Sequence, residues 1–401
     1  PNNMISISNL VFRMKKNAVG LATIAILSSM VLVTLVGAAS IYAGKKDYLA
    51  SATPHDYSVA GNKVDLTSTK KLMDDFLIKT GEQANEEVAV SYLLFGIKNQ
   101  ETNKLTVFTK NERKVVPKSI VLVFSQETFK QLTGKELNLS SNQIALYTKN
   151  KTLKTQKSLS IDSKNYQIHR QLGDFINKKI PNIYKIIVSD YSYLVVPDIK
   201  IFESSMKGTS IAQATYVGVN VKDPTHDAKK NSDLLDQMTD KETQQLAGQT
   251  TGVSQSYLTA NSRYDAEGMV NGFVGGTFFI GIFLSIIFML GTVLVIYYKQ
   301  ISEGYEDRER FVILQKIGLD DLQVKQTIRK QVLTVFFLPL IFAFIHLAFA
   351  YHMISLIVRI IGVLNPDLML VVTIIVCGVF FLAYVLVFAL TSRSYRRIVS
   401  M

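Results

Sequence analysis

A single cysteine, Cys377, occurs in the 401 residues, and it lies in an apolar run near the C-terminus. The chain cannot close an internal disulfide, and no cysteine cluster is available for a structural metal. The five histidines, His55, His169, His226, His346 and His352, are scattered, with no H-E-x-x-H spacing among them. No G-x-x-x-x-G-K segment followed by Ser or Thr occurs, so the chain has no P-loop of its own for ATP hydrolysis. G-x-S-x-G is missing as well, and a membrane-bound hydrolase would have neither nucleophile and base nor metal to work with. The chain is therefore read as a non-enzyme with no cofactor and no metal.

Charge is the next thing lacking, but only in places. Asn17–Gly44, Met269–Tyr298, Gln331–Val358 and Leu368–Ser392 carry no Lys, Arg, Asp or Glu. Each run exceeds the roughly 20 residues that a bilayer-spanning helix needs. All four are too long for a cleavable signal peptide, and no small-residue cleavage site is evident. Four transmembrane helices are expected, at 18–44, 269–298, 331–358 and 368–392. Basic residues orient them. The flank 1–17, the connection 299–330 and the tail 393–401 together hold 13 Lys and Arg, whereas the connection after Val358 holds Arg359 alone. By the positive-inside rule both termini and the 299–330 connection face the cytoplasm. Residues 45–268 then lie outside.

That outer segment carries 30 Lys and Arg against 25 Asp and Glu, a mildly basic balance within a net charge of +12. A soluble, lysine-rich surface accounts for it, and no nucleic-acid partner is expected. Without disulfides the segment must rest on an apolar core. Thr67–Gly81 reads as a helix, capped by Thr67 or Ser68 and stopped by Gly81. Val88–Ile97 and Ser119–Phe124 read as buried strands, and Ser125 caps a short helix that Gly134 ends. Further strands are expected at Ile144–Thr148, Tyr166–His169, Tyr184–Val188, Tyr193–Val196 and Ala214–Val221. Asp227–Gly248 reads as a polar, mobile or partner-facing helix. The fold class is an α-helical membrane protein with four transmembrane helices and a large extracellular α+β domain inserted between the first and second.

Residues 1–17 read as an interfacial helix, in which Lys15 and Lys16 reach lipid headgroups. The second run would extend roughly 45 Å as a helix, against a hydrocarbon core of about 30 Å, so its outer end reads as a stalk. Gly272 and Gly276 have the spacing of a helix-packing motif. His346 falls in mid-span, with His352 and Arg359 toward the outer face; interhelical hydrogen bonds or interface anchoring suffice for them.

The connection 299–330 is not a slack linker. Tyr305, Glu306, Asp307, Arg308, Glu309 and Arg310 form a charged half, and Phe311 to Leu314 with Ile317 an apolar half. Gly318 fits a helix stop, Asp320 a cap with Gln323 three residues on, and Leu319 and Val324 a hydrophobic staple. Two short helices around a glycine are predicted. Such an elbow could pack beneath its own bundle, or it could seat in a groove on a cytoplasmic partner.

This hairpin, "EGYEDRERFVILQKIG", resembles the coupling loop of FtsX-type ABC transporter permeases. "NLVFRMKKNAVGLATIAILSSMVLVTL" and "IRKQVLTVFFLPL" resemble the Bce-type, or bacitracin-export, permeases, of the staphylococcal VraG-like kind. The resemblance implies a permease for antimicrobial-peptide resistance in a bacterial cell membrane, with the large domain extracellular. It also implies a separate cytoplasmic ABC ATPase that binds ATP and Mg. Tyr305, Glu306, Asp307, Arg308, Glu309, Arg310, Phe311, Leu314 and Gly318 would couple to that ATPase. Bce-type permeases have ten spans, so a chain with four looks like the C-terminal part of one. A sensor histidine kinase is a further expected partner. The alternative is a sensory or mechanotransmission subunit that signals to such a kinase or to a cell-wall hydrolase.

A mildly basic domain meets cationic peptides at an electrostatic disadvantage. A peptide's complex with an anionic lipid pyrophosphate would suit it better, at "KNKTLKTQK", where Lys149, Lys151, Lys154 and Lys157 stand with no acid between them. Replacing the four lysines with alanine should weaken binding of lipid pyrophosphate and steepen its loss at higher salt. Binding that is unchanged in a liposome pull-down would remove this assignment.

Overall fold

The computed structural model describes residues 18–112, 117–181, 188, 190–249, 256–316, 321–363 and 365–399. The expected interfacial helix at 1–17, residues 184–187 of one expected strand, and Gly318 and Asp320 of the hairpin lie outside them. Two compact units result, Lys46–Asn271 and the pair Pro1–Lys45 with Gly272–Met401.

The first unit is built around one long strand. Buried residues alternate with more exposed ones through much of Val88–Ile97, and β2 runs over Ala84–Gln100. Its N-terminal part pairs antiparallel with β9 (Ile211–Val221), which pairs with β1 (Tyr57–Asn62), which pairs with β10 (Tyr257–Ser262). Its C-terminal part pairs with two other strands, β3 (Lys104–Val107) and β4 (Ser119–Ser125). From β3 the pairing passes through β6 (Ser158–Ile161), β7 (Lys164–Gln171), β5 (Gln143–Thr148) and β8 (Asp190–Val196) to β4. These seven strands therefore close on one another, and the other three extend from β2 as an open sheet.

Closure gives the ring an inside, and alternation fills it. Leu93, Phe95, Val121, Val123, Leu146 and Leu194 point into one cluster, with Phe202 from the short helix Ile199–Ser205 packed against it. The intervening residues Tyr92, Leu122, Phe124, Tyr191 and Tyr193 face the other way and meet Ile176 and Ile180. The open sheet is covered by helix α2 (Leu66–Thr80), through Leu72, Met73 and Phe76, and by α6 (Ala228–Gln249), through Leu235.

Several local expectations are met. Ser125 caps α3 (Gln126–Thr133), and Gly134 ends it in the left-handed conformation, as Gly81 ends α2. The cap of α2, however, is Asp65 and not Thr67 or Ser68, because its carboxylate accepts from both Ser68 N (2.8 Å) and Ser68 Oγ (2.7 Å). Val188 is buried but lies outside any strand. The helix expected to be mobile or partner-facing is packed along one side, where Asn231, Ser232, Leu235 and Thr239 are buried. Thr243 of α6 also satisfies the outer edge of β10, accepting from Leu258 N (3.0 Å) and donating to Leu258 O (3.2 Å). A side chain thereby takes the place of a neighbouring strand where the sheet would otherwise be open.

Four helices among the described residues are long and apolar enough to cross a membrane. They are α1 (Ala18–Ala52), α7 (Arg263–Lys316), α8 (Asp321–Ile360) and α9 (Pro366–Val399), with α4 the short helix Lys151–Lys154 and α5 the helix Ile199–Ser205. The expected two short helices of the hairpin are continuations of α7 and α8. Charge-free runs mark the length that lipid can cover, whereas a helix continues for as long as its backbone bonds are made. Gly281 of α7 faces Ala38 of α1, where an added Cβ would lie 2.3 Å from the alanine methyl carbon. Gly272 and Gly276 face open space, whereas Gly281, which the spacing motif did not mark, is closely packed.

Leu146 is fully buried in the ring. Leu146→Ala should destabilise the sheet unit by about 2–5 kcal/mol, read from its urea unfolding midpoint.

Candidate functional site

The four lysines lie around α4. Asn150 caps this single turn, accepting from Thr152 N (2.9 Å) and Leu153 N (3.3 Å), and Leu153 anchors it in the core. Lys149, Lys151, Lys154 and Lys157 all remain exposed. The fold brings an acid to this lysine segment, since Asn150 Nδ2 donates to Asp190 Oδ2 at 3.0 Å. Lys149 holds its ammonium 5.3 Å from the ring centre of Tyr191. The segment is a capped, anchored turn that presents cations around a neighbouring carboxylate.

The proposed coupling residues lie along the last turns of α7. Tyr305, Glu306 and Arg308 are exposed there. Asp307, Glu309, Arg310, Phe311 and Leu314 belong to the same helix, and their side chains lie outside the described set, as does Gly318 altogether. Within the membrane-spanning unit, polar side chains pair between helices. Ser29 Oγ lies 3.1 Å from His346 Nδ1, Thr34 Oγ1 lies 3.0 Å from Ser285 Oγ, and the Tyr384 hydroxyl donates to Phe336 O at 2.9 Å. His346 thus has the interhelical hydrogen bond expected of it.

The densest polar site was not foreseen from the sequence. It lies where α1 ends and α7 begins, within the sheet unit. The Arg263 guanidinium donates to Thr53 O, to Pro54 O and to Asp56 Oδ1 (3.1 Å), and its backbone N–H donates to Asp56 O at 2.8 Å. The second oxygen of Asp56 accepts from Val221 N at 3.0 Å. Asp56 is nearly enclosed, at 8% side-chain exposure against 35% for Arg263. Two residues on, Asp265 accepts from Ser262 Oγ (2.7 Å) and from Ser232 Oγ, which ties the first turn of α7 to α6. The clue available in the sequence was weak: Ser262 and Asp265 at cap spacing, in a segment that otherwise resembles exposed surface.

His55 adjoins this knot. Its Nδ1 lies 2.8 Å from the Tyr216 hydroxyl, and Gly218 leaves room for it, since a Cβ there would fall 2.5 Å from Nδ1. Burial holds His55 down to about 4; Arg263 and Lys179 push in the same direction, while Glu86 and Asp56 oppose them. Burial also raises Tyr216, so the phenol keeps its proton. With both groups neutral, the imidazole tautomer sets which of the two donates. Among the described residues, no group of three or more His, Cys, Asp or Glu could hold a metal ion.

No family model matches the chain. It is similar to curated permeases of Bacillus subtilis (strain 168). An ABC transporter permease protein, YxdM, is 23% identical over 352 residues, covering 87% of this chain and 51% of the relative. An uncharacterized ABC transporter permease, YvcS, is 30% identical over 121 residues, or 30% of this chain and 18% of its own length. The bacitracin export permease protein BceB is 29% identical over 140 residues, or 35% of this chain and 19% of its own. The chain thus spans about half the length of the first relative, and the matches to the other two are shorter still.

The His55 value lies below its unperturbed 6.5, so protonation favours the unfolded chain. Stability of the sheet unit should be full above pH 6.5 and decline as pH falls through 6.5 toward 4. His55→Gln keeps an acceptor for Tyr216 and cannot titrate, so its unfolding midpoint should fall less over that range. Equal declines in the two proteins would remove His55 as the cause.

Proposed function

We propose that this chain is the permease part of an ABC transporter in a bacterial cell membrane. The observation that carries the reading is the similarity to an ABC transporter permease over 352 residues, which takes in 87% of the chain. The four long apolar helices agree with it. On this reading the sheet domain is extracellular, both termini are cytoplasmic, and a separate ATPase binds beneath the membrane.

The finer reading is antimicrobial-peptide resistance of the bacitracin-export, VraG-like kind, supported by the shorter match to a bacitracin export permease. The partner's cycle of ATP binding and hydrolysis would move the outer domain and dislodge a peptide, or its lipid-pyrophosphate complex, at the membrane surface. Lys149, Lys151, Lys154 and Lys157 would meet the pyrophosphate. The ATPase would grip the end of α7, with Arg308 and its charged neighbours setting orientation and Phe311 and Leu314 adding apolar contact. A sensor histidine kinase would read the same motion.

Pull-down from membranes should bring a P-loop ATPase with the chain, and a histidine kinase with it. Arg308→Ala or Phe311→Ala should lower the ATPase stimulation by roughly thirtyfold, the cost of losing about 2 kcal/mol at an interface hot spot. Peptide resistance should fall in parallel. Stimulation that survives both changes, with cross-links from Glu306 reaching only this chain, would overturn the coupling assignment.

A further inference from the structure

The segment that leaves α1 and the residue that opens α7 exchange bonds. A helix C-terminus presents unpaired carbonyls and a partial negative charge; a helix N-terminus presents the reverse. Thr53 N closes the last α-helical bond of α1, to Leu49 O at 2.8 Å, and the chain leaves the helix through Thr53 and Pro54. The guanidinium that meets both belongs to Arg263, the first residue of α7. Conversely, the carboxylate of Asp56, which follows α1, lies against the first residue of α7. The segment that leaves α1 is thus held by the residue that opens α7, while the first turn of α7 is capped by Ser262, whose Oγ accepts from Asp265 N at 3.1 Å.

The exchange is built into the sheet. Tyr57 of β1 stands opposite Ser262 of β10, so the two flanks leave adjacent strands side by side. Asp56 is also held from β9, through Val221 N and through Asn220 Oδ1, which accepts from Asp56 N at 3.1 Å. A partly enclosed pair with this many fixed partners differs from an exposed salt bridge, and losing one member leaves the other charge uncompensated.

We infer that Arg263 is a positioning residue that fastens the C-terminal end of α1 to the first turn of α7 where the two meet the sheet. The fastening stands on the geometry alone. Its consequence for transport rests on the permease reading given above.

Hydrogen exchange on the full chain in lipid nanodiscs tests it. Arg263→Gln keeps amide donors and loses the charge and the fork; Asp56→Asn keeps the shape and loses the anion. In either variant, exchange at 50–56 and at 262–266 should rise together by at least about tenfold, with the ring strands β4, β5 and β8 unchanged. Arg263→Lys should recover part of the protection. Loosening of one helix end without the other would overturn the inference, and so would no loosening at all. Loss of protection across the whole domain in both variants would also overturn it, by making the pair a general core contact. A second readout separates this from the permease reading. If the two ends loosen together while partner ATPase stimulation and peptide resistance are untouched, the fastening stands and the transport role does not.

Discussion

The guanidinium of Arg263 binds the two carbonyls at which the chain leaves one long helix, while its own backbone opens another. Few arrangements let a single side chain do this. The two helix ends must arrive side by side, and only the antiparallel pairing of Tyr57 with Ser262 brings them there. The carboxylate of Asp56 then neutralises the cation and spends its second oxygen on the neighbouring strand β9. Charge this enclosed is tolerated only because nearly every lone pair and proton has a partner. The junction is therefore specific in a way that an apolar contact of equal area would not be.

From that junction the sheet domain builds outward in two parts that share β2. Along its N-terminal part, β2 belongs to the open sheet that carries the junction; along its C-terminal part it belongs to the closed ring. Closure removes exposed edges from the ring, and Thr243 covers part of the outer edge of β10. A domain without disulfides thus keeps its edges protected by topology and by one threonine. His55 and Gly218 complete this region, where a buried neutral imidazole fits only because its neighbour has no Cβ.

Similarity to ABC transporter permeases supplies the functional frame, and the long helices supply a physical route. α7 runs without a break from Arg263 to Lys316, so one helix carries both the junction residues and the charged segment proposed to meet an ATPase. The polar pairs Ser29–His346 and Thr34–Ser285 join helices inside the membrane-spanning unit. The finer assignments, a peptide substrate and a lipid pyrophosphate at the lysine turn, belong to the proposal.

The sequence by itself determined the features that depend on neighbours within a few residues. Uncharged length marked four helices able to span a bilayer. Ser125 with Gly134 marked both ends of a helix, and Gly81 the end of another. Short apolar runs marked β2, β4 and β9. Even here, local signals erred where a stronger local partner competed, as when Asp65 displaced Thr67 and Ser68 at a cap. Only the tertiary structure decided the rest. Ring closure depends on which strands pair, and apolar alternation is the same whichever neighbour a strand has. The exchange between Asp56 and Arg263 joins residues 207 positions apart, and each looks like an ordinary surface charge in its own segment. A period can show which face of an element is buried, but only the fold selects the partner that covers it.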